Sequence, residues 1–337
     1  MTGFVLELFA MLFVIIAASE LFTNALEHLG QRLKISEGVT GSLFAAIGTA
    51  LPETMVPLLA LFAGTSNVSL NEEISVGSIL GAPLMLSTLT TCLMALAVLP
   101  RRGIAGNVSP EQSGFVRDLN FFLFAFGLAA AAMFVPQDAR YIRGFLSSAL
   151  VLTYFIYIML TLRASEQLVA NGHGTEAEEK MFLARVGLPT NLSTILLQLV
   201  IGLCLLVLGA QGFISGIEGV SQKLGVSVLL LSLLIIPIAT ELPEKVNSIL
   251  WVRRDKDTLA FGNITGAMVF QGTLLPAIGI MLTPWQPRIE VLSGILITLF
   301  AAAWLRINAR SRGIPIWALL INGALYVSYL AITLQKQ

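Results

Sequence analysis

One six-residue pattern occurs twice in this sequence, each time near the middle of an apolar run long enough to span a bilayer. The first copy is Gly48–Glu53 and reads GTALPE, and the second is Ala239–Glu244 and reads ATELPE. An ionisable group at that depth is energetically costly, which favours a role in an ion path or a binding site. The proline before each glutamate removes a backbone donor and frees carbonyl oxygens beside the acid. Such oxygens suit Na⁺, Ca²⁺ or H⁺, although a proline-kinked helix with a packed, protonated glutamate would share the pattern.

The composition indicates an integral membrane protein. Of the 337 residues, 56% are hydrophobic and 12% are charged, and the formal net charge is zero. Soluble domains contain about 25% charged residues, and the zero net charge argues against a nucleic-acid partner. Two cysteines, Cys92 and Cys204, and two histidines, His28 and His173, have no metal-ligand or nucleophile context. We therefore expect no enzyme activity and no cofactor besides transported ions.

Ten apolar segments are long enough to cross a membrane as helices, so we predict an all-α protein with about ten transmembrane helices. The segments are 4–29, 38–63, 74–99, 119–135, 142–162, 194–218, 226–252, 262–281, 289–305 and 314–334. A polar stretch, residues 163–193, separates the first five segments from the last five. It is too short to form a core of its own, which predicts a cytoplasmic linker.

The distribution of Lys and Arg predicts the orientation of these helices. Loops after odd-numbered segments contain 14 of these residues, the opposite side contains five, and Lys245 lies inside a segment. Because basic loops stay in the cytoplasm, both termini are predicted to lie outside. We expect the inner membrane of a bacterial or archaeal cell, with membrane lipid and transported cations as partners, and leave the oligomeric state open.

The two halves of the chain are related in sequence. An ungapped offset of 191 residues aligns the two Pro-Glu patterns, so that Glu53 corresponds to Glu244. Residues 1–162 and 194–337 are therefore predicted to be related halves of five helices each. Because five is odd, the halves have opposite orientations, an inverted repeat that many secondary transporters use for alternating access. After a loop six residues shorter, two glycine pairs also align: Gly77 with Gly262, and Gly81 with Gly266.

These motifs resemble the cation/Ca²⁺ exchanger superfamily, specifically its sodium/calcium exchanger branch. Members of that branch carry two inverted repeats, each reading roughly G-T-S-x-P-E in one helix and G-N-x-x-G-S-N/D in the next. Here the second elements are residues 77–83, which read GSILGAP, and 262–268, which read GNITGAM. The resemblance implies cation ligands at four positions: Glu53 and Glu244 for Ca²⁺, with Thr49 and Thr240 helping to bind Na⁺.

The resemblance and the repeat together predict how the site is built. Helices two and seven are expected to cross near the bilayer centre, broken at Pro52 and Pro243, with the two glutamates facing each other. Glycines four residues apart give the following helix a flat side that can approach the broken helix closely, or serve only in ordinary small-residue packing. Those glycines are Gly77 and Gly81 in the first half, and Gly262 and Gly266 in the second.

This chain departs from the family pattern at the site. Pro83 and Met268 stand where the family has Asn or Asp, and Glu241 replaces a serine. Lys245 directly follows Glu244 and lies four residues after Glu241, the favourable order for a helical ion pair. It either neutralises Glu241 or acts as a tethered cation in the place of a transported one. The polar candidates that remain are Ser78, Asn263, Thr265, Gln271 and Asn247.

We therefore expect a secondary antiporter that exchanges Ca²⁺ or a similar cation against Na⁺ by alternating access. One alternative is a diverged homologue that is coupled to H⁺ or moves a different substrate. A second alternative is a membrane scaffold without transport. Acids retained in both halves disfavour the scaffold, because an inert protein gains nothing from burying them.

Overall fold

The computed structural model describes residues 2–32, 51–63, 67–169, 180–225, 227–309 and 313–334, and these are almost entirely helical. We number their helices in chain order: α1 (Thr2–Arg32), α2 (Leu51–Ala63), α3 (Val68–Met85), α4 (Thr91–Arg102), α5 (Gln112–Ala132), α6 (Arg140–Val169), α7 (Phe182–Arg185), α8 (Leu192–Leu224), α9 (Val228–Thr240), α10 (Leu242–Arg253), α11 (Asp257–Leu282), α12 (Ile289–Asn308) and α13 (Ile316–Leu334). A π-helical turn, Leu86–Thr90, joins α3 to α4. Two short strands are β1 (Asn107–Val108) and β2 (Ile314–Pro315).

Seven helices of the described residues are long and apolar enough to cross a membrane, when α3, the π-helical turn and α4 are counted as one. They are Val68–Arg102, Gln112–Ala132, Arg140–Arg163, Leu192–Lys223, Asp257–Leu282, Ile289–Asn308 and Ile316–Thr333. α2 and α9 contain shorter apolar helices, Glu53–Phe62 and Val228–Ile238. The protein is thus a helical membrane protein, as its composition predicted. Ten crossings stay a prediction, since residues 38–50 of the second expected segment lie outside the described residues.

The first residues of the expected polar linker are helical, because α6 continues to Val169. Residues 163–169 read RASEQLV, and most of these residue types favour helix, so the helix extends beyond the apolar segment. At the other end of the linker, Asn191 caps α8 by accepting a hydrogen bond from the Thr194 amide over 2.9 Å. Residues 170–179 lie outside the described residues.

The seventh expected segment forms two helices rather than one kinked helix. α9 ends at Thr240, Glu241 adopts φ −96° and ψ 11°, and α10 starts at Leu242. Pro243 falls in the first turn of α10, where its missing N–H leaves no helical hydrogen bond unmade. Pro52 holds the corresponding position in the described part of α2. The expected break therefore occurs, but at Glu241, and Pro243 starts the second helix instead of kinking one.

Apolar side chains form two cores that share α3 and α9. The larger core combines these two helices with α4–α6 and α10–α13, and contains Phe122, Phe126 and Trp285. The smaller core combines them with α1, α2 and α8, and contains Ile15 and Phe213. Contact between α3 and α9 therefore joins the two cores beside the helix break.

Glycines of α3 allow this contact to be close. A Cβ atom at Gly81 would clash with the carbonyl oxygen of Leu233, and one at Gly77 would lie 2.9 Å from the carbonyl oxygen of Leu229. The glycines thus give α3 a flat side, but the helix that packs against it is α9, from the other half of the chain, rather than α2, the helix that α3 follows and that the glycine spacing was expected to bring close. In the second half, a Cβ at Gly266 would lie 3.8 Å from the Tyr157 hydroxyl, and one at Gly262 would meet no described atom within 4 Å; the corresponding partner residues, 38–50, lie outside the described residues.

Polar contacts connect the two halves at the end of α4. The Arg102 guanidinium lies 2.8 Å from Oδ2 of Asp257 and 2.7 Å from Oδ1 of Asp255. Nearby, β1 pairs antiparallel with β2, with Asn107 opposite Pro315. The sequence predicted neither the ion pairs nor the strands, which join loops far apart along the chain.

Candidate functional site

Four charged side chains are buried around the helix break. Glu53 lies at the start of the described part of α2, Glu241 lies at the break, and Glu244 and Lys245 begin α10. The three glutamates are 0% exposed and Lys245 is 5% exposed. The positive end of the α10 dipole favours a carboxylate at Glu244. Residues from both sequence halves thus place three carboxylates and one ammonium inside the protein.

Gln271 of α11 connects the two halves of this cluster. Its Nε2 donates to Oε1 of Glu53 over 3.0 Å and to Oε1 of Glu241 over 3.3 Å. Gln271 is itself 0% exposed. Hydrogen bonds to buried carboxylates are stronger than those between neutral groups, so this amide fixes the positions of the two carboxylates relative to each other.

Lys245 pairs with Glu241, as their four-residue spacing predicted. The distance between Nζ and Oε2 of Glu241 is 3.3 Å. Nζ also donates to the carbonyl oxygen of Pro237 over 2.8 Å and lies 3.9 Å from Sδ of Met85. The ammonium is therefore held between the end of α9 and α3, and its charge compensates one of the three acids.

Glu244, in the first turn of α10, is next to α11. Asn263 of α11 donates to the carbonyl oxygen of Glu244 over 3.3 Å and to Oγ of Ser248 over 3.0 Å. The Glu244 carboxylate repels both Glu53 and Glu241 electrostatically. The two acids of the repeated pattern are thus close enough in space to interact, and Asn263 lies beside one of them.

Several buried oxygens of the site have no hydrogen-bond partner among the described residues. They are Oε2 of Glu53 and Oε1 of Gln271; Oγ of Ser78, buried in α3, also has none. A buried unpaired acceptor costs roughly 1–3 kcal/mol, and more when it is charged. Oxygens of this kind can be satisfied by a cation, a proton or a water molecule.

The carboxylates do not form a preassembled metal cage. Among the described residues, no three His, Cys, Asp or Glu side chains are close enough together to hold a metal ion. A cation bound here would need hydroxyl and backbone oxygens besides the carboxylates, which is ordinary for Na⁺ and Ca²⁺.

The remaining sequence candidates fall in different places. Thr240 is buried, and its hydroxyl donates to a carbonyl within α9 over 3.1 Å. Thr49 lies outside the described residues. Thr265 is turned away from the site and donates to Oδ2 of Asp118 in α5 over 2.7 Å. Asn247 is exposed. The structure therefore does not bring Thr265 and Asn247 together with the buried acids.

Gln271 was only one of several polar candidates in the sequence, yet it makes the contacts that join the acids. One signal for it exists in the sequence. It lies eight residues after Asn263, near the same face of the helix, whereas Thr265 lies on a different face. A polar residue at that spacing within an apolar helix is the pattern that marks a site-facing position.

A membrane-embedded helix break surrounded by buried carboxylates is typical of ion-transporting proteins as a class. The profile of the family described as sodium/calcium exchanger protein matches residues 4–163 and 194–335. The chain belongs to this family, which confirms the resemblance found from its motifs. It is a family of exchangers rather than enzymes, as the sequence predicted.

Individual relatives agree with this assignment. The chain is 25% identical over 280 residues to the inner membrane protein YrbG of Escherichia coli (strain K12), covering 82% of this chain and 78% of YrbG. The crystal structure of the H⁺/Ca²⁺ exchanger CAX superposes with a TM-score of 0.72 at 18% identity, over 98% of this chain and 82% of CAX. The sodium-calcium exchanger NCX_Mj superposes with a TM-score of 0.61 at 19% identity, over 97% of this chain and 99% of NCX_Mj. The protein thus has the fold of these exchangers and, like its relatives, is a membrane protein.

Proposed function

We propose that the protein is a secondary antiporter that exchanges Ca²⁺ or a similar cation against Na⁺ or H⁺ by alternating access. The observation that carries the proposal is the buried charge at the helix break. Three carboxylates are 0% exposed, and Lys245 is the one cationic side chain that contacts them among the described residues. Uncompensated charge inside a membrane protein is costly, so the site favours cations from solution.

Within this proposal, the acids of the repeated pattern bind the divalent ion. Glu53 and Glu244 come from separate halves, and Glu53 retains an unpaired oxygen among the described residues. Glu241 is compensated by Lys245 and serves the site less directly. Neutral oxygens complete the coordination, drawn from this set: Thr49, Thr240, Ser78, Asn263 and backbone carbonyls at the break.

We further propose the ten-helix, inverted-repeat architecture, with residues 1–162 and 194–337 as halves and 163–193 as a cytoplasmic linker. The helix contacts support it: α11 packs against α5 and α6, while α3 and α4 with their π-helical turn pack against α12 and α13. In the proposed repeat, α11 is the counterpart of α3 and α4, and α5 and α6 are the counterparts of α12 and α13. The two sets of contacts therefore correspond to each other. The gap in the family match, residues 164–193, falls at the linker, and the positions of Lys and Arg favour termini outside.

Flux measurements in proteoliposomes test the proposal. Purified protein is reconstituted with ⁴⁵Ca²⁺ outside, and either a Na⁺ gradient or a H⁺ gradient of equal size drives uptake. Uptake with only one gradient identifies the coupling ion, and uptake with both means that both ions are used. Absence of uptake with either gradient, in vesicles shown to contain folded protein, would contradict exchange of Ca²⁺ and favour a different substrate or a scaffold.

A further inference from the structure

We propose that the Lys245 ammonium is held in the site as a fixed positive charge, so that one divalent ion exchanges for two monovalent ions with no net charge movement. The inference rests on the proposed function and adds its stoichiometry. It also assigns Lys245 as the residue that determines this stoichiometry.

The position of the ammonium shows why it is a fixed component. Nζ lies 3.3 Å from Glu241, 2.8 Å from the carbonyl oxygen of Pro237 and 3.9 Å from the sulfur of Met85. Lys245 is 5% exposed, and these partners surround it from α9, from α3 and from the break before α10. An ammonium that left this pocket would leave a carboxylate that is 0% exposed without its positive partner, which is strongly unfavourable.

The charges of the cluster give a definite sum. Three carboxylates and one ammonium add to −2 among the described residues. Residues 38–50, which complete the second apolar segment, contain no Asp, Glu, Lys, Arg or His and add no charge. The buried acid Asp118 does not belong to the cluster, because it bonds Thr265 over 2.7 Å and lies 3.4 Å from Arg117.

A site of charge −2 is neutralised by one divalent ion or by two monovalent ions. Conformational changes that switch access to the site from one side of the membrane to the other are favourable only when the buried charge is close to zero. One divalent ion moving one way and two monovalent ions moving the other way transfer no net charge. Without the Lys245 charge the sum would be −3, and three monovalent ions would be needed, which moves one charge per cycle.

A membrane potential reveals the difference. The measurement is the steady-state ⁴⁵Ca²⁺ accumulation ratio in proteoliposomes under a fixed gradient of the coupling ion, with a K⁺ diffusion potential of about 60 mV or none. One net charge per cycle changes this ratio about tenfold at that potential. For the parent protein, and for the charge-conserving Lys245→Arg, we expect no change.

Charge variants of the same pair provide matched controls. Lys245→Met should shift the ratio about tenfold, and Glu241→Gln should shift it by a similar factor in the opposite direction. The double variant Glu241→Gln/Lys245→Met restores the sum to −2 and should again show no shift. A merely structural role for the pair predicts no shift in any variant, so the opposite shifts of the two single variants separate the two roles.

Other outcomes overturn the inference. A tenfold shift in the parent would contradict it while leaving exchange intact. Potential-independent exchange by Lys245→Met would also contradict it. If that variant does not fold, Glu241→Gln decides, and potential-independent exchange by Glu241→Gln contradicts the inference. Absence of exchange by the parent under both gradients would instead contradict the proposed function, and the inference with it.

Discussion

Gln271 donates a hydrogen bond to the Glu53 carboxylate over 3.0 Å, between side chains 218 residues apart in the chain. Both side chains are 0% exposed, so neither can find a replacement partner in water. The bond links the first half of the chain to the second at the position where a cation is proposed to bind.

We expect Gln271→Leu to lower the free energy of unfolding in cation-free detergent solution by about 1.5–3 kcal/mol, the range for hydrogen bonds to charged groups. The reason is that the Glu53 carboxylate loses a buried donor. The measurement is thermal unfolding of the purified protein. Gln222→Leu is the matched control, because Gln222 donates to Glu218 over 3.3 Å at an exposed position. Equal stability losses in the two variants would mean that the buried hydrogen bond stabilises the protein no more than the exposed one.

Close contact of α3 with α9 gives a second test. Gly81→Ala places a methyl group against the carbonyl oxygen of Leu233, and overpacking of this kind costs about 1–3 kcal/mol. Gly127→Ala is the control, since a Cβ there meets no described atom within 4 Å; alanine should stabilise that helix by up to about 1 kcal/mol. If thermal unfolding shows Gly81→Ala to be as stable as the parent, the two helices separate easily and the contact does not constrain the site.

Arg143 caps the end of α11. Its guanidinium donates to the carbonyl oxygens of Ile280, Thr283 and Pro284, and the side chain is buried. Arg143→Met leaves these carbonyls without donors and removes a cation from a helix C-terminus, so we expect a loss of about 3 kcal/mol or more in unfolding free energy. Arg140→Met, at an exposed position one turn earlier, should change it by less than about 0.5 kcal/mol. A loss below 1 kcal/mol for Arg143→Met would show that water replaces the cap.

Asp255, in the loop between α10 and α11, is expected to make the stability of the protein depend on pH. A hydrogen bond from the Arg102 guanidinium lowers the pKa of the Asp255 carboxyl below its ordinary value. A carboxyl whose pKa is lower in the folded than in the unfolded state stabilises the folded protein at pH values above its unfolded-state pKa, which is about 4. This contribution is lost as the pH falls through the folded-state pKa.

Asp255→Asn should therefore lower the melting temperature at pH 7, and the difference from the parent should shrink as the pH falls below about 4. Asparagine is the appropriate replacement, because Asp255 has φ 60° and asparagine tolerates that conformation. Asp138→Asn, in an exposed loop of the same protein, is the control for a general effect of removing a carboxylate. A difference that persisted unchanged at pH 3 would exclude the ion pair as its cause.

Local patterns were enough to locate the acidic site. Glu53 and Glu244 follow from a repeated motif, and the contact of Lys245 with Glu241 follows from a four-residue spacing, which helix geometry alone brings together. The family could be recognised for the same reason, since its motifs are short and continuous. The break at Glu241 was two residues from the expected proline because a proline in the first turn of a helix is compatible with that helix.

Contacts between distant segments could not be predicted in the same way. Thr265 and Gln271 are both polar residues of one apolar helix, and only the packing of α11 decides that one faces α5 and the other faces the acids. The pairing of Asn107 with Pro315 likewise joins loops from different halves. Such contacts depend on how helices are arranged in space, which helical periodicity does not specify.

The central claim is that the paired acids of the two halves bind the transported cation. Initial ⁴⁵Ca²⁺ uptake into proteoliposomes, driven by the coupling-ion gradient, tests it directly in Glu53→Gln and Glu244→Gln. Each variant keeps the side-chain shape and removes one charge, so we expect folded protein whose uptake is reduced about 100-fold or more. The control Glu20→Gln, at an exposed position of α1, should transport at the parent rate. Parent-like uptake by either site variant would contradict the claim and show that its carboxylate is merely packed.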